Sequence, residues 1–135
     1  MEDMETSICL DTGIVVDILR REEKAITWLK QVKRDRPIAI TLITVFEIYR
    51  GIYISKNSLQ ESEAFEYLKK QLLVLPLVEK HVREAARISI ILQKEGNSID
   101  MQDLLIGICA REEGYALKTN NLKHFVNIPD LKLLT

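Results

Sequence analysis

The chain has 135 residues, 47% of them hydrophobic and 29% charged, and its 19 basic and 20 acidic residues give a formal charge of -1. This is the make-up of one globular domain, read as spanning 1–135 and able to bury a core, and it excludes a globally basic nucleic-acid binder, though not a local basic strip. The apolar stretches are too short to span a bilayer, the acidic start Met1-Glu-Asp-Met-Glu lacks the apolar segment of a leader, and Cys9 and Cys109, both inside apolar runs, read as reduced core thiols of a cytoplasmic protein.

Ser7–Leu10 reads as a short buried strand and residues 14–20 as a short helix. Ala25, Leu29 and Val32 recur at helical spacing, which predicts an amphipathic helix over 23–33, and Pro37 stops it. Ile38-Ala39-Ile40 is a second buried strand. A helix over about 45–55 follows, breaks at Asn57-Ser58, and gives way to another over about 60–71. Leu72–Leu75 predicts a third strand, ended by Pro76. Val82, Ala85 and Ala86 open a helical stripe that runs to Lys94 and breaks at Gly96-Asn97-Ser98. Residues 103–113 form a nearly all-apolar and therefore buried helix, with Gly114 placed as its C-cap. Tyr115–Lys118 reads as a strand, and Leu131–Leu134 as the last one. Short apolar strands alternating with helices predict an α/β fold with a parallel sheet covered on both faces. Such folds bind ligands at the carboxyl ends of strands, near the switch in strand order. Asp11 and Asn121 both stand just past such ends.

Most charged residues fall on faces that a helix gives to solvent; Asp11, Glu47 and Asp103 do not. Asp11 ends a buried strand, Glu47 sits in TLITVFEIYRG at the start of a helix, and Asp103 opens DLLIGICA, where every later residue is apolar or glycine. A carboxylate in such surroundings is costly unless it caps, pairs or binds a cation. Capping accounts for each acid taken singly. Asp11 caps the helix after it. Thr44-Val45-Phe46-Glu47 matches a capping box with Glu47 as the returning residue. Asp100 caps a helix with Asp103 in its first turn, where the macrodipole favours an acid. Asn121 caps Leu122–Phe125.

The alternative is a shared site. Gly51 and Gly107 stand four residues after Glu47 and Asp103, on the same helix face as the acid. Glycine costs about 1 kcal/mol in a helix interior, and close approach of backbones accounts for it while drawing the carboxylates together. Converging acids need protonation or a divalent cation to relieve their repulsion, and oxygen ligands suit Mg²⁺ or Mn²⁺. Such a centre activates water and steadies phosphate chemistry. His81 and His124 stand alone, without a Cys/His metal spacing, and no Walker or dinucleotide motif occurs.

The segments ICLDTGIVVDIL, TLITVFEIYRGI, GNSIDMQDLLIGICAREEGYALKTNNLKHF and IPDLKLL, in that order and spacing, resemble the PIN-domain ribonucleases, and within them the VapC-type toxins of toxin–antitoxin pairs. The resemblance spans nearly the whole chain. It implies a three-layer α/β/α PIN-like domain with a central parallel sheet of about five strands. It implies a metal-dependent endoribonuclease that hydrolyses RNA with metal-activated water, leaving 5′-phosphate and 3′-hydroxyl ends. By the same resemblance Asp11, Glu47 and Asp103 are ligands of Mg²⁺ (or Mn²⁺), directly or through water. Asn121 joins them as a catalytic position, where the family often has a fourth acid. Thr119 matches a commonly polar position beside the site, and Thr12 and Asp100 are expected to orient or support the ligands. Gly13 departs from the Asn or Ser that relatives usually carry after Asp-Thr. Arg20, Arg21, Arg50, Lys118 and Lys123 are candidates for holding the RNA backbone.

Relatives are usually homodimers, silenced by an antitoxin whose tail enters a groove by the active site. A cognate antitoxin and a second copy of the chain are therefore the implied partners. Tyr49, Ile52, Tyr53, Phe65 and Tyr67 serve either such contacts or the core. Two other readings compete. One is a catalytically weak PIN-like module kept for RNA or partner binding, which the changes at Asn121 and Gly13 favour. The other, a phosphoacceptor receiver domain, wants an acid at the third strand end, where Pro76-Leu77-Val78 stands.

Overall fold

Five short strands, β1 (Ile8–Leu10), β2 (Ile38–Thr41), β3 (Leu73–Leu75), β4 (Ala116–Lys118) and β5 (Leu133–Leu134), lie in one parallel sheet in the order β3-β2-β1-β4-β5. The structure is a computed structural model and describes residues 6–135. The acidic start, read above as no leader, lies outside the described residues. Parallel neighbours cannot be joined by a tight turn, so helices fill the crossovers. α1 (Thr12–Leu19) and α2 (Glu23–Val32) follow β1, and α3 (Leu42–Tyr53) and α4 (Ser58–Lys69) follow β2. α5 (Glu79–Lys94) and α6 (Met101–Glu112) follow β3, and the short α7 (Leu122–Phe125) follows β4.

Side chains alternate between the faces of a strand, and in β1 and β2 both faces are buried. Ile8, Leu10, Ile38 and Ile40 share one core with residues of α1 to α4, among them Ile14, Leu29, Ile48 and Phe65. Cys9, Ala39 and Leu117 share the other with Ile88, Leu104 and Phe125 of α5, α6 and α7. The result is the three-layer α/β/α arrangement. Both cysteines are buried and free, as expected of core thiols.

Chain order and strand order part at the centre of the sheet. From β1 the chain runs outward through β2 to β3, then returns to place β4 on the other side of β1. The carboxyl ends of β1 and β4 are therefore the point where the order reverses. There the Asp11 amide donates to the Lys118 carbonyl at 2.9 Å, which fixes Asp11 beside Thr119.

Helix ends differ from expectation where the chain leaves a strand without a loop. β2 runs straight into α3, so the helix starts at Leu42 rather than near 45. Thr41 is its cap, and its hydroxyl accepts from the Thr44 amide at 3.2 Å. The capping box expected of Thr44 and Glu47 does not form, and both side chains are free for other work. α5 and α6 each end in a Schellman turn, with Gly96 at φ +77° and Gly114 at φ +80°. The Asn97 amide donates to the Leu92 carbonyl and the Tyr115 amide to that of Ala110, both at 2.8 Å. The sharp turn at Gly96 brings Asn97 and Ser98 round to the start of α6.

Candidate active site

β1 delivers Asp11 to the reversal point of the sheet, where it is only 5% exposed. It caps α1 as expected, its Oδ1 accepting from the Thr12 amide at 2.8 Å. Its Oδ2 accepts from the hydroxyl of fully buried Thr119 at 2.8 Å. That hydroxyl in turn accepts from the Asn121 amide at 2.9 Å. Each carboxylate oxygen has two acceptor positions, so the cap leaves both oxygens with one to spare.

Thr12 joins Asp11 to Glu47. The Thr12 hydroxyl donates to Glu47 Oε1 at 2.6 Å and lies 2.9 Å from the Thr44 hydroxyl. An ionised carboxylate only accepts. The single Thr12 proton therefore goes to Glu47, and Thr44 must donate to Thr12. The chain Thr44 to Thr12 to Glu47 has one direction, and it starts from a side chain with no exposure. Sequence reasoning took Thr44 for a cap and missed this role.

Asp103, in the first turn of α6, pairs with His124 of α7: Oδ2 lies 3.0 Å from Nδ1, and the side chains are 22% and 54% exposed. Burial pushes the carboxyls of Asp11 and Asp103 above the ordinary range. Hydrogen bonds from Thr119 and Thr12, and the nearby His124, pull Asp11 back. His124 also pulls Asp103 back, while the charges of Asp11 and Asp100 push it further up. Asp103 thus lies within the field of Asp11. Among the described residues no three acidic, histidine or cysteine side chains form a closed metal-ligand group. An all-oxygen set of this kind nonetheless fits Mg²⁺, which commonly sits on one or two carboxylates with water completing its shell.

The remaining expected residues frame this centre. Asp100 and Asn121 occupy the N-cap positions of α6 and α7, but neither side chain makes a cap bond. Asn121 meets the site through its backbone. Arg20, Arg21, Arg50 and Gly13 are exposed. Lys118 places Nζ 4.7 Å from the centroid of the Trp28 ring, and burial lowers its pKa. Lys123 borders a hollow beside Asp103. Of the apolar residues weighed for partner contacts, Ile52 and Phe65 are core, whereas Tyr53 and Tyr67 are exposed. Tyr49 stacks on Tyr53 and meets Phe65 edge-on.

Neither Gly51 nor Gly107 draws the carboxylates together, contrary to the expectation from their spacing. A Cβ at Gly51 would meet nothing within 4 Å, so no close approach calls for that residue. A Cβ at Gly107 would fall 2.6 Å from Ile128 Cδ1, so the close approach there is to the C-terminal segment and not to α3. Asp11 alone stands at a strand end; Glu47 reaches it through Thr12, and Asp103 lies in the first turn of α6. Gly51→Ala is therefore expected to stabilise the fold by about 1 kcal/mol, a rise of about 3 °C in melting temperature. A lower melting temperature would contradict the open surroundings. The histidines are the other departure from the sequence reading. His81, buried, lies 2.7 Å from Glu113 and ties α5 to the end of α6, and His124 holds Asp103. Their partners are remote in sequence, so no local spacing signals them.

Among the described residues no helix is long and apolar enough to cross a membrane. The model of the PIN domain matches residues 8–130. The chain is 30% identical over 124 residues to Ribonuclease VapC2 of Haemophilus influenzae, covering 91% of this chain and 92% of that protein. It is 27% identical over 133 residues to Ribonuclease VapC1 of Methanocaldococcus jannaschii, covering 98% and 89%. It superposes with a TM-score of 0.89 on a chain in the crystal structure of VapBC2 from Rickettsia felis bound to a DNA fragment from their promoter, at 27% identity and with 96% and 98% of the two chains covered.

Proposed function

The chain belongs to the PIN-domain family, and on that premise we propose that it is a metal-dependent endoribonuclease, the toxin of a VapBC-type toxin–antitoxin pair. The observation that carries this reading is the anchoring of Asp11 at the reversal point of the sheet, with Glu47 joined to it through Thr12 and the charge of Asp103 within its field. Asp11 and Asp103, with Glu47 directly or through water, would hold Mg²⁺ or Mn²⁺. When bound, the cation supplies neutralisation of phosphate charge and acidification of the attacking water.

The protein's own residues set the geometry. Thr119 and the Thr12 amide fix the rotamer of Asp11, and the Thr12 hydroxyl fixes Glu47. Glu47 Oε2 stays outside that network and is available to take the proton of the attacking water. Asn121, its side chain uncommitted by capping, stands as a neutral donor to a phosphate oxygen. Lys123 and the exposed arginines meet the backbone of the RNA. A cognate antitoxin and a second copy of the chain are the partners of this reading, and the exposed Tyr53 and Tyr67 are available to them. Two buried free thiols suit a reducing cytoplasm.

The test is incubation of RNA with the full chain in Mg²⁺, in Mn²⁺ and in chelator. Metal-dependent cuts with 5′-phosphate and 3′-hydroxyl ends are expected. A chain that binds RNA and never cuts it is the weak binding module instead.

Two further outcomes follow from the network. Thr12→Val removes the donor to Glu47 while keeping the volume of the side chain. It is expected to lower metal affinity and cleavage by about 10- to 100-fold, the cost of losing a group that orients a ligand, and calorimetric titration with Mn²⁺ checks it. The second concerns pH without metal. Asp11 and Asp103 both titrate above their unfolded values, so the folded chain holds the extra protons. Their contribution to stability is greatest at low pH. It falls as pH rises from the unfolded carboxylate range through the raised values, and is flat above them. Urea melts of wild type and Asp11→Asn across this window should therefore diverge in favour of the variant as pH rises. Added Mg²⁺ reverses the wild-type loss, because the cation binds the ionised form.

A further inference from the structure

A hollow of about 170 Å³ opens beside Asp103. Its polar rim comes from two segments that meet only in the fold. Asn97, Ser98 and Asp100 arrive from the turn after α5, and Lys123, His124 and Asn127 from α7 and its exit. Leu92 and Ile99 give it an apolar lining. The volume is well under the roughly 300–1,000 Å³ of sites for drug-sized ligands. It suits one small planar group.

The rim is uncommitted. Asn97 spends its backbone amide on closing α5, and its side chain has no hydrogen-bond partner among the described residues. The side chains of Ser98, Lys123 and Asn127 likewise have none. An N-cap aspartate ordinarily spends its carboxylate on an amide in the first turn of its helix, yet Asp100 makes no such bond. Only His124 is engaged, by Asp103, and its ring remains half exposed. Two primary amides, each with donor and acceptor, the carboxylates of Asp100 and Asp103 and a half-exposed imidazole, with apolar Leu92 and Ile99 in the lining, are what an unstacked base can use. Single-stranded RNA is read by in-plane hydrogen bonds to base edges and by stacking on rings such as that of histidine. Amides bond such edges in pairs, and a carboxylate accepts from an exocyclic amino group.

Building on the ribonuclease reading, we propose that this hollow seats the base of the nucleotide adjoining the scissile phosphate, and that it favours bases with an exocyclic amino group over uracil. Adenine, cytosine and guanine each offer the Asp100 carboxylate an exocyclic amino group, whereas uracil offers only its ring N3–H, flanked by two carbonyl oxygens that a carboxylate repels. Asp100 is then the specificity-determining residue and Asn97 and Asn127 hold the base edge, in a hollow that Asp103 also lines.

Two measurements on the full chain test this. In ¹⁵N-labelled protein, the side-chain amide signals of Asn97 and Asn127 are expected to move on adding AMP, CMP or GMP, and to move less with UMP. No movement with any of the four, or equal movement with UMP, overturns the pocket. In cleavage of an RNA hairpin pool randomised over its loop, the wild type is expected to favour amino-bearing bases beside the cut by about tenfold. Asp100→Asn should lose that preference, and Asn97→Ala and Asn127→Ala should weaken it and still cut. Variants that cut with the wild-type profile overturn the pocket and leave the ribonuclease standing. A wild type that cuts nothing in any metal sinks the ribonuclease reading instead, and the amide signals then decide the pocket.

Discussion

Asp11→Asn is expected to abolish RNA cleavage, by at least about a hundredfold, the scale on which losing one charge-stabilising group at a reacting centre is felt. The substitution keeps the shape of the side chain and removes its charge. The Thr12 amide still has an oxygen to donate to, so the cap on α1 survives. The new amide nitrogen faces the Thr119 hydroxyl, which loses its acceptor, while burial already disfavours the ionised carboxyl, so the two effects offset and the variant should melt near the wild type. Mg²⁺ should raise the melting temperature of the wild type and leave that of the variant nearly unmoved, since a ligand stabilises only the state that binds it. Asp103→Asn is expected to behave the same way. A folded Asp11→Asn chain that cuts RNA at the wild-type rate would show that the chemistry lies elsewhere.

Phe125→Ala is expected to have the largest effect on stability, about 3–5 kcal/mol, in line with truncation of a fully buried aromatic ring. Phe125 is 1% exposed and ends the four-residue helix that also carries His124. Its ring is among the side chains packed over Gly107. A helix this short has no stability of its own, so its place depends on this anchor. The melting temperature should fall by about 10 °C or more. Cleavage measured well below the new melting point should also fall, because the partner of Asp103 and one wall of the hollow lose their support. A variant that melts near the wild type would show that α7 is held by other contacts.

The fold was largely legible in the sequence. Short apolar strands alternating with amphipathic segments have few arrangements other than a covered parallel sheet, and the expected elements recur within a few residues of their places. The three-residue shift at the start of α3 arose because Thr41 is at once the last residue of a strand and the cap of a helix. The candidate acids were legible too, as carboxylates inside apolar runs. The reason offered for their convergence was not. Two glycines at matching spacing looked like one device, yet one faces open space and the other packs on the C-terminal segment.

The sequence by itself determined the kind of molecule: an α/β fold with three acids inside apolar runs and a resemblance pointing to metal-dependent RNA cleavage. Local patterning carries that much, because strand and helix periodicity and the cost of an unpaired carboxylate are properties of neighbouring residues. Tertiary structure alone decided the partners. It placed the hydroxyl of Thr119 on Asp11, ran the proton direction from Thr44 through Thr12 to Glu47, and seated His124 on Asp103. It also opened the hollow between Asn97 and Asn127. These contacts join residues far apart along the chain, and a hydrogen bond is set by the distance and angle that packing imposes, which no spacing in the sequence encodes.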